Sequence, residues 1–380
     1  LKAEEGIPMR VEAFKSERLL SVWQNQVEYD FTETGVHPLY LHELVTEEEL
    51  SQLRQEVQLR YIQTNGTPEL KYAIIQLYPG AEPDNVLVTN GSAEANFVTM
   101  WRHVEPGDEI VVMYPNYLQV PGIARAFGAE VKPFYLREEA GWAPDLDELD
   151  AQVTPRTSLI YVCHPNNPTG SILTEDEMRG IVCIADRVGA WILSDEVYRG
   201  AELQGEISPS FWGMYDRVLI VAGLSKAYTL PGLRIGWLVG PREIVEQTWG
   251  YSDYTSITVG ALNDRLARLA MSPETRRKIL QRNRTISARN LQGLQDWLDR
   301  HEGLFRFVPP KIGGVAFVGY NLEINSTELV MKLLHDHSVL IVPGDAFGLD
   351  RFVRIGYGAH NLLEGLELIN ETLTALQTRT

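Results

Sequence analysis

Lys226 sits in GLSKAYTLPGLRIGW (223–237), directly behind an apolar run, a place that suits a lysine only if it faces a cleft. An amine in a partly desolvated pocket has a lowered pKa and can form a Schiff base with an aldehyde. Eight residues on, Arg234 opens a second apolar run, RIGWLVG, where a guanidinium can clamp a phosphate or carboxylate with two prongs. Spacing alone leaves a plainer reading open: a lysine at a strand end and an arginine in a structural ion pair. Asp195 ends another apolar run in SDEVYRG (194–200). A carboxylate there needs a cationic partner. A pyridinium nitrogen would serve, and an ionised aspartate would keep that ring protonated as an electron sink. Alone, Asp195 reads better as the N-cap of a following turn. Tyr198 either aims its hydroxyl at a ring oxygen or packs.

Further segments behind apolar runs carry polar groups. HPNNPTG (164–170) is too proline-rich to extend a strand and reads as a tight loop, with Asn166 and Asn167 available to a ligand. His164 reads as part of that scaffold rather than as a general base. TNGSAEAN (89–96) is a strand-to-helix turn with Gly91 and Ser92 at the helix start. Exposed N–H groups and the helix dipole suit a phosphate there, although neither the GxGxxG nor the GxxxxGKS/T spacing is present. Tyr117 in YPNY either stacks on a flat ring or fills core. Arg354 lies inside FVRIGYG (352–358), so a carboxylate partner is expected, from the protein or from a substrate. His335 and His337 look like a metal pair, but i and i+2 diverge on a helix, and no metal site is expected.

The elements that must position these residues are legible as a pattern. From Asn85, the short apolar runs NVLVTN, EIVVMYP, EVKPFYL, SLIYVCHP, AWILSDEV, RVLIVAGLS and RIGWLVG alternate with helical stretches. Runs apolar on both faces and separated by helices predict an α/β fold, three layers around a mostly parallel sheet. The strand ends and following loops are then the natural ligand site. Capping boxes at Thr46–Glu49 and Thr174–Glu177 start two of the helices. Residues 1–45 read as an irregular N-terminal arm, with an amphipathic stretch over 9–30 and breaks at Gly35 and Pro38. Residues 46–289 read as the large domain. Residues 290–380 read as a smaller α+β domain that packs with the arm, built from LFRFVPP, GGVAFVGY, a helix near 326–337, VLIVPG, FVRIGY and a last helix.

The 380 residues include 34 basic and 51 acidic side chains, a net charge of −17. That balance works against nucleic acid or an anionic membrane as the main partner, while leaving room for a local anion pocket. No run approaches the 18 or so apolar residues of a membrane span, and LKAEEGIPMR lacks an apolar signal core, so a soluble cytoplasmic protein is expected. Cys163 and Cys183 lie in apolar runs and read as small buried hydrophobes with free thiols.

Taken together and in order, TNGSAEA, YPNY, HPNNPTG, SDEVYRG, SKAYTLPGLRIGW and VRIGYG strongly resemble the class I/II aminotransferases, fold type I enzymes dependent on pyridoxal 5'-phosphate (PLP), over nearly the whole chain. The spacings of 28 residues from Asn167 to Asp195 and 31 from Asp195 to Lys226 fit that family. The resemblance implies that Lys226 is the Schiff-base lysine and proton shuttle, and that Asp195 pairs with the pyridinium nitrogen. Asn167 and Tyr198 would bond the ring's 3-oxygen, and Tyr117 would stack on the ring. Gly91, Ser92, Ala93, Ser225 and Arg234 would hold the phosphate, and Arg354 the substrate carboxylate. Tyr61 resembles a tyrosine that reaches the phosphate of a neighbouring subunit, implying a homodimer with shared sites. Gly35 resembles an arm residue that closes over the substrate. The implied reaction is ping-pong transfer of an amino group between an L-amino acid and a 2-oxo acid.

Two departures stand out. Gly223 replaces a serine found in many members, which implies one phosphate contact fewer. The stretch 249–258, where dicarboxylate-specific members place a second arginine, holds Asp253 and tyrosines instead, which speaks against aspartate or glutamate as preferred donor. Asp253 pointing into the pocket would favour a cationic side chain. The alternatives are a lyase, cyclase or oxidase on the same cofactor, or a non-catalytic regulator module. The first forty-five residues are too few and too acidic for the DNA-binding segment such a module needs.

Overall fold

The computed structural model describes residues 11–377, so the first ten residues of the expected arm and the last three of the chain lie outside it. Seven apolar runs form the strands β1 (Val86–Thr89), β2 (Glu109–Tyr114), β3 (Glu130–Arg137), β5 (Thr157–Cys163), β6 (Trp191–Asp195), β7 (Val218–Gly223) and β8 (Gly236–Val239), and a short β4 (Ala143–Pro144) adds an edge that no apolar run marks. They make one sheet in the order β1-β8-β7-β6-β5-β2-β3-β4. The central strands pair in parallel, while β8 runs against both its neighbours and β4 against β3. Every residue of β1, β7 and β8 is buried, as expected of strands covered by helices on both faces.

Strand direction decides where chemistry can sit. Parallel strands deliver the residues that follow them to one edge of the sheet, and Tyr117, Asn167, Asp195 and Lys226 follow or end β2, β5, β6 and β7. Because β8 is reversed, its start meets that same edge, with Gly236 opposite both Thr89 and Gly223. Arg234, two residues before β8, and Gly91, two after β1, are thereby brought together.

A second apolar core is built by Leu294, Trp297, Val318, Leu333, Ile355 and Leu366, and Tyr29 and Phe31 of the N-terminal stretch belong to it. It surrounds an antiparallel sheet of β9 (Phe305–Phe307), β10 (Ala316–Tyr320), β11 (Val342–Pro343) and β12 (Phe352–Ile355), in the order β9-β10-β12-β11. The N-terminal stretch is less irregular than its sequence suggests. It holds a helix, Lys15–Trp23, and the pair Tyr29–Asp30 lies parallel to Val339–Leu340. Beyond it residues 31–36 lie flat on this domain because Gly356 and Gly358 lack side chains: a Cβ at either would collide with the carbonyl of Glu33 or Gly35.

Some expectations are corrected. Cys163 is buried, but Cys183 is exposed on the outer side of the helix Glu175–Val188; both thiols are free. VLIVPG divides into Val339–Leu340 and Val342–Pro343, and the last helix is two, Leu362–Leu368 and Asn370–Gln377. The helix begun by the Thr46 capping box stops at Glu56, which leaves Tyr61 in a loop.

Candidate active site

The sheet edge, the loop 31–36 and β12 enclose a cavity of about 290 Å³. Of the residues singled out in the sequence, Ser92, Ala93, Tyr117, Asn167, Asp195, Tyr198, Ser225, Lys226, Arg234 and Arg354 line it. Gly91 lies just behind, where a Cβ would run into the Arg234 guanidinium. Gly35 packs on the backbone of Lys226, a Cβ there falling 3.3 Å from the Lys226 carbonyl oxygen. Two residues are not brought in: Tyr61 is 77% exposed, and Asp253 caps the exposed end of the helix Arg242–Ser252. Gly223 does not face the cavity either. A Cβ there would sit 2.9 Å from the Ile235 carbonyl oxygen, so its glycine answers to the close approach of β8 rather than to a missing ligand contact.

Asp195 is 4% exposed. Its Oδ1 accepts the Val197 N–H at 3.1 Å and its Oδ2 the Asn96 amide at 3.3 Å. Among the described residues no basic side chain is in ion-pair contact with it. Burial pushes its pKa up to about 6, against the opposing pull of those two donors and of Lys226. An acid in that state is incomplete until a cation arrives.

Arg234 ends a 3₁₀ turn, Pro231–Leu233, in the left-handed conformation at φ 49°, and hydrogen-bonds the Pro231 carbonyl at 3.1 Å. It has no acidic partner among the described residues, and it lies against Gly91, the N-cap of the helix Ser92–His103. A free guanidinium beside a helix N-terminus is an anion site. Gly236 completes this cradle, since a Cβ there would overlap Gly91 and the Ser92 nitrogen.

Arg354 is also 4% exposed. It donates to the Thr32 carbonyl at 2.7 Å and to Asn167 Oδ1 at 3.2 Å, and its Nε finds no acceptor among the described residues. Among the described residues no carboxylate touches it, so of the two partners expected from sequence, protein or substrate, the first is not found there. Burial lowers its pKa, with Tyr198 and Glu33 opposing. The bond to Oδ1 fixes the Asn167 amide and leaves its Nδ2 to donate elsewhere. Tyr198, 2% exposed, shares a hydrogen bond with Thr34 Oγ1.

Lys226 departs from expectation. Burial does pull its pKa down, but Glu33 and Tyr198 outweigh that, and the net shift is upward. Glu33 Oε2 lies 3.3 Å from Lys226 Nζ, and Glu33 Oε1 accepts from Gln24 at 2.9 Å. Glu33, Gln24 and Glu17, whose Oε1 accepts from the Tyr117 hydroxyl at 3.0 Å, are cavity residues that the sequence reading missed. Asn96 was missed too: it does not line the cavity but bonds Asp195 from behind it, and its position four residues into the helix from Ser92 in TNGSAEAN is a usable signal. His164 and Asn166 are spent on the loop. His164 bonds the Pro209 carbonyl at 3.1 Å and accepts the Leu173 N–H at 3.2 Å, and burial holds its pKa down to about 4. Asn166 bonds the Pro115 carbonyl and Thr169. Among the described residues no cluster could hold a metal ion, and His335 and His337 stay apart from the site.

The donor set therefore calls for one molecule carrying an anion, a protonated ring nitrogen and an amine-reactive carbon, and a second carrying a carboxylate. Pyridoxal 5'-phosphate and an amino acid fit it. The family model for aminotransferase class I and II matches residues 34–369. A capreomycidine synthase of Streptomyces vinaceus is 33% identical over 92% of this chain and 90% of its own. An aspartate aminotransferase of Streptomyces avermitilis is 28% identical over 83% and 82%. The crystal structure of a PLP-dependent aminotransferase from Streptococcus suis superposes with a TM-score of 0.91 at 35% identity, covering 97% of this chain and 99% of that one.

Proposed function

Because the chain belongs to the class I and II aminotransferase family, we propose that the cavity is where its amino transfer between an L-amino acid and a 2-oxo acid takes place, in two alternating half-reactions. The enzyme is a PLP-dependent aminotransferase of fold type I. What supports the site assignment is buried Asp195, with no basic side chain in ion-pair contact among the described residues, sharing one cavity with Lys226 and Arg234.

Bound PLP supplies an aldehyde that takes up amines and a ring that absorbs electrons released at an adjacent carbon. The chain's own residues do the rest. Arg234, Ser225 and the N–H groups following Gly91 would hold the phosphate, Gly91 leaving room for the Arg234 guanidinium and Gly236 for Gly91 itself. Asp195 keeps the ring nitrogen protonated, and the Asn96 amide aims its carboxylate. Asn167 Nδ2 and the Tyr198 hydroxyl would bond the ring's 3-oxygen, and Tyr117 would pack against the ring. Arg354 fixes the substrate carboxylate and thereby the direction of the Cα–H bond. Lys226 Nζ would anchor the cofactor and, as a free amine, would take and return the proton at the substrate Cα. Gly35 lets the N-terminal loop lie directly over Lys226.

The finer organisation belongs to the same proposal. We place the arm at 1–45, the large domain at 46–289 and the small domain at 290–380. Tyr61 serves the phosphate of a second copy, in a homodimer whose face includes the exposed side chains Leu59, Tyr61 and Tyr254. The protein works in the cytoplasm; among the described residues no helix is long and apolar enough to cross a membrane. The test is borohydride reduction of the cofactor-loaded protein followed by peptide mapping. A pyridoxyl adduct on Lys226 is expected, and an adduct on another lysine overturns the assignment. The relative named as a synthase favours a second reading, in which the same cofactor chemistry ends other than in amino transfer.

A further inference from the structure

The cavity holds three basic and three acidic side chains: Lys226, Arg234 and Arg354 against Asp195, Glu17 and Glu33. On the reading above, four of these have an assigned group. Arg234 faces the phosphate, Arg354 the substrate carboxylate, Asp195 the ring nitrogen, and Lys226 the aldehyde. Covalent attachment removes Lys226 as a free ammonium, and Glu33 loses the only cation in contact with it among the described residues. Its side chain stays 44% exposed and is held by Gln24.

The wall beside Glu33 is built for more than charge. In the helix Lys15–Trp23 and its C-cap, Glu17, Leu20 and Gln24 are spaced at i, i+3 and i+7, so one stripe of that helix lines the cavity. The stripe offers an apolar surface at Leu20, flanked by Glu17 and by the amide that aims Glu33. We propose that Glu33, set by Gln24 and backed by Glu17, is the specificity-determining residue of this site and selects amino acids with a cationic side chain. This rests on the aminotransferase reading and names its donor class. An apolar stem lies against Leu20, and the terminal ammonium or guanidinium sits beside Glu33, because Lys226, attached to the cofactor or acting as the neutral base at Cα, no longer pairs with it. A carboxylate side chain meets like charge there, in keeping with the lack of a basic residue in 249–258. Asp253, exposed and outside the cavity, is not needed for the selection.

The experiment compares isosteres on the holoenzyme. 2-Methylornithine and 2-methylnorleucine have side chains of equal length, one charged and one not, and neither has an α-proton to lose. Their dissociation constants are read from the cofactor absorbance. The wild-type protein should bind the cationic compound at least about tenfold more tightly, and Glu33→Gln should remove most of that ratio, with Glu33→Asp restoring part of it. Using a ratio cancels any effect of Glu33 on Lys226 that both ligands feel. No preference in the wild type, or an unchanged ratio in Glu33→Gln, overturns the proposal. L-Ornithine and L-norleucine in parallel test the underlying reading: a cofactor that neither converts counts against amino transfer while the binding ratio still decides the role of Glu33.

Discussion

Lys226 and Glu33 control each other's charge, which makes the attachment step pH-dependent in a defined direction. Glu33 is held below the usual carboxylate range, chiefly by Lys226, and Lys226 is held above the usual lysine value because Glu33 and Tyr198 outweigh its burial. In the cofactor-free fold, Lys226's share of the stability is lost as pH rises through its elevated pKa, and Glu33's as pH falls through its depressed one. Only the neutral amine captures an aldehyde. Glu33→Gln leaves burial to dominate, so the pH profile of covalent PLP capture should shift to lower pH, measured by stopped-flow absorbance; a shift to higher pH contradicts the pairing. Asp195 has the linkage opposite to that of Glu33. Its folded pKa is raised to about 6 by burial, so the cofactor-free protein loses stability as pH rises from the unfolded value toward 6. Asp195→Asn should therefore stabilise the cofactor-free protein at pH 7 by about 2–3 kcal/mol, at 1.4 kcal/mol per pKa unit, while abolishing most turnover. Calorimetry at pH 5 and pH 7 checks this, the gain being larger at pH 7. Lys226, Asp195, Asn167 and Arg354 were legible because each is a polar residue beside an apolar run. Glu33 was not, because its meaning comes from a lysine 193 residues away.

The reversed strand β8 is what brings Arg234 and Gly236 against Gly91, the cradle proposed for the phosphate. An apolar run carries no direction, so RIGWLVG was readable as a strand but not as an antiparallel one. The usable hint was the connection: residues 224–235 hold only a 3₁₀ turn, too little for the crossover helix a parallel neighbour usually needs. Gly236 is where this topology meets function. Gly236→Ala should push the loop at Gly91 off its helix, weakening PLP affinity about tenfold or more and costing about 1–3 kcal/mol of stability. Fluorescence titration and thermal melts give both numbers, and unchanged affinity would detach the glycine from the cradle. The helix Lys15–Trp23 was half legible, as an amphipathic stretch. Which face looked inward was hidden until the arm's pairing with Val339–Leu340 fixed its course.

At the scale of the whole molecule, a net charge of −17 and a cavity with three basic groups are compatible because Lys226 and Arg234, from one segment at the edge of the large sheet, meet Arg354 of β12 in a single cavity. If Tyr61 serves a second copy, a site is complete only in a dimer. Inactive Lys226→Ala and impaired Tyr61→Ala homodimers, unfolded together and refolded in equal amounts, should then regain roughly a quarter of the wild-type sites, since half the dimers are hybrids with one intact site each. No gain over the unmixed proteins would place Tyr61 and Lys226 outside a shared site. The most direct measurement for the account as a whole is one half-reaction. Holoenzyme mixed with a single amino acid and no 2-oxo acid should convert its cofactor absorbance fully to the aminated form. One 2-oxo acid should be released per site, with no ammonia, and conversion should then stop. Continued turnover on that amino acid alone, with release of ammonia or uptake of oxygen, would contradict it.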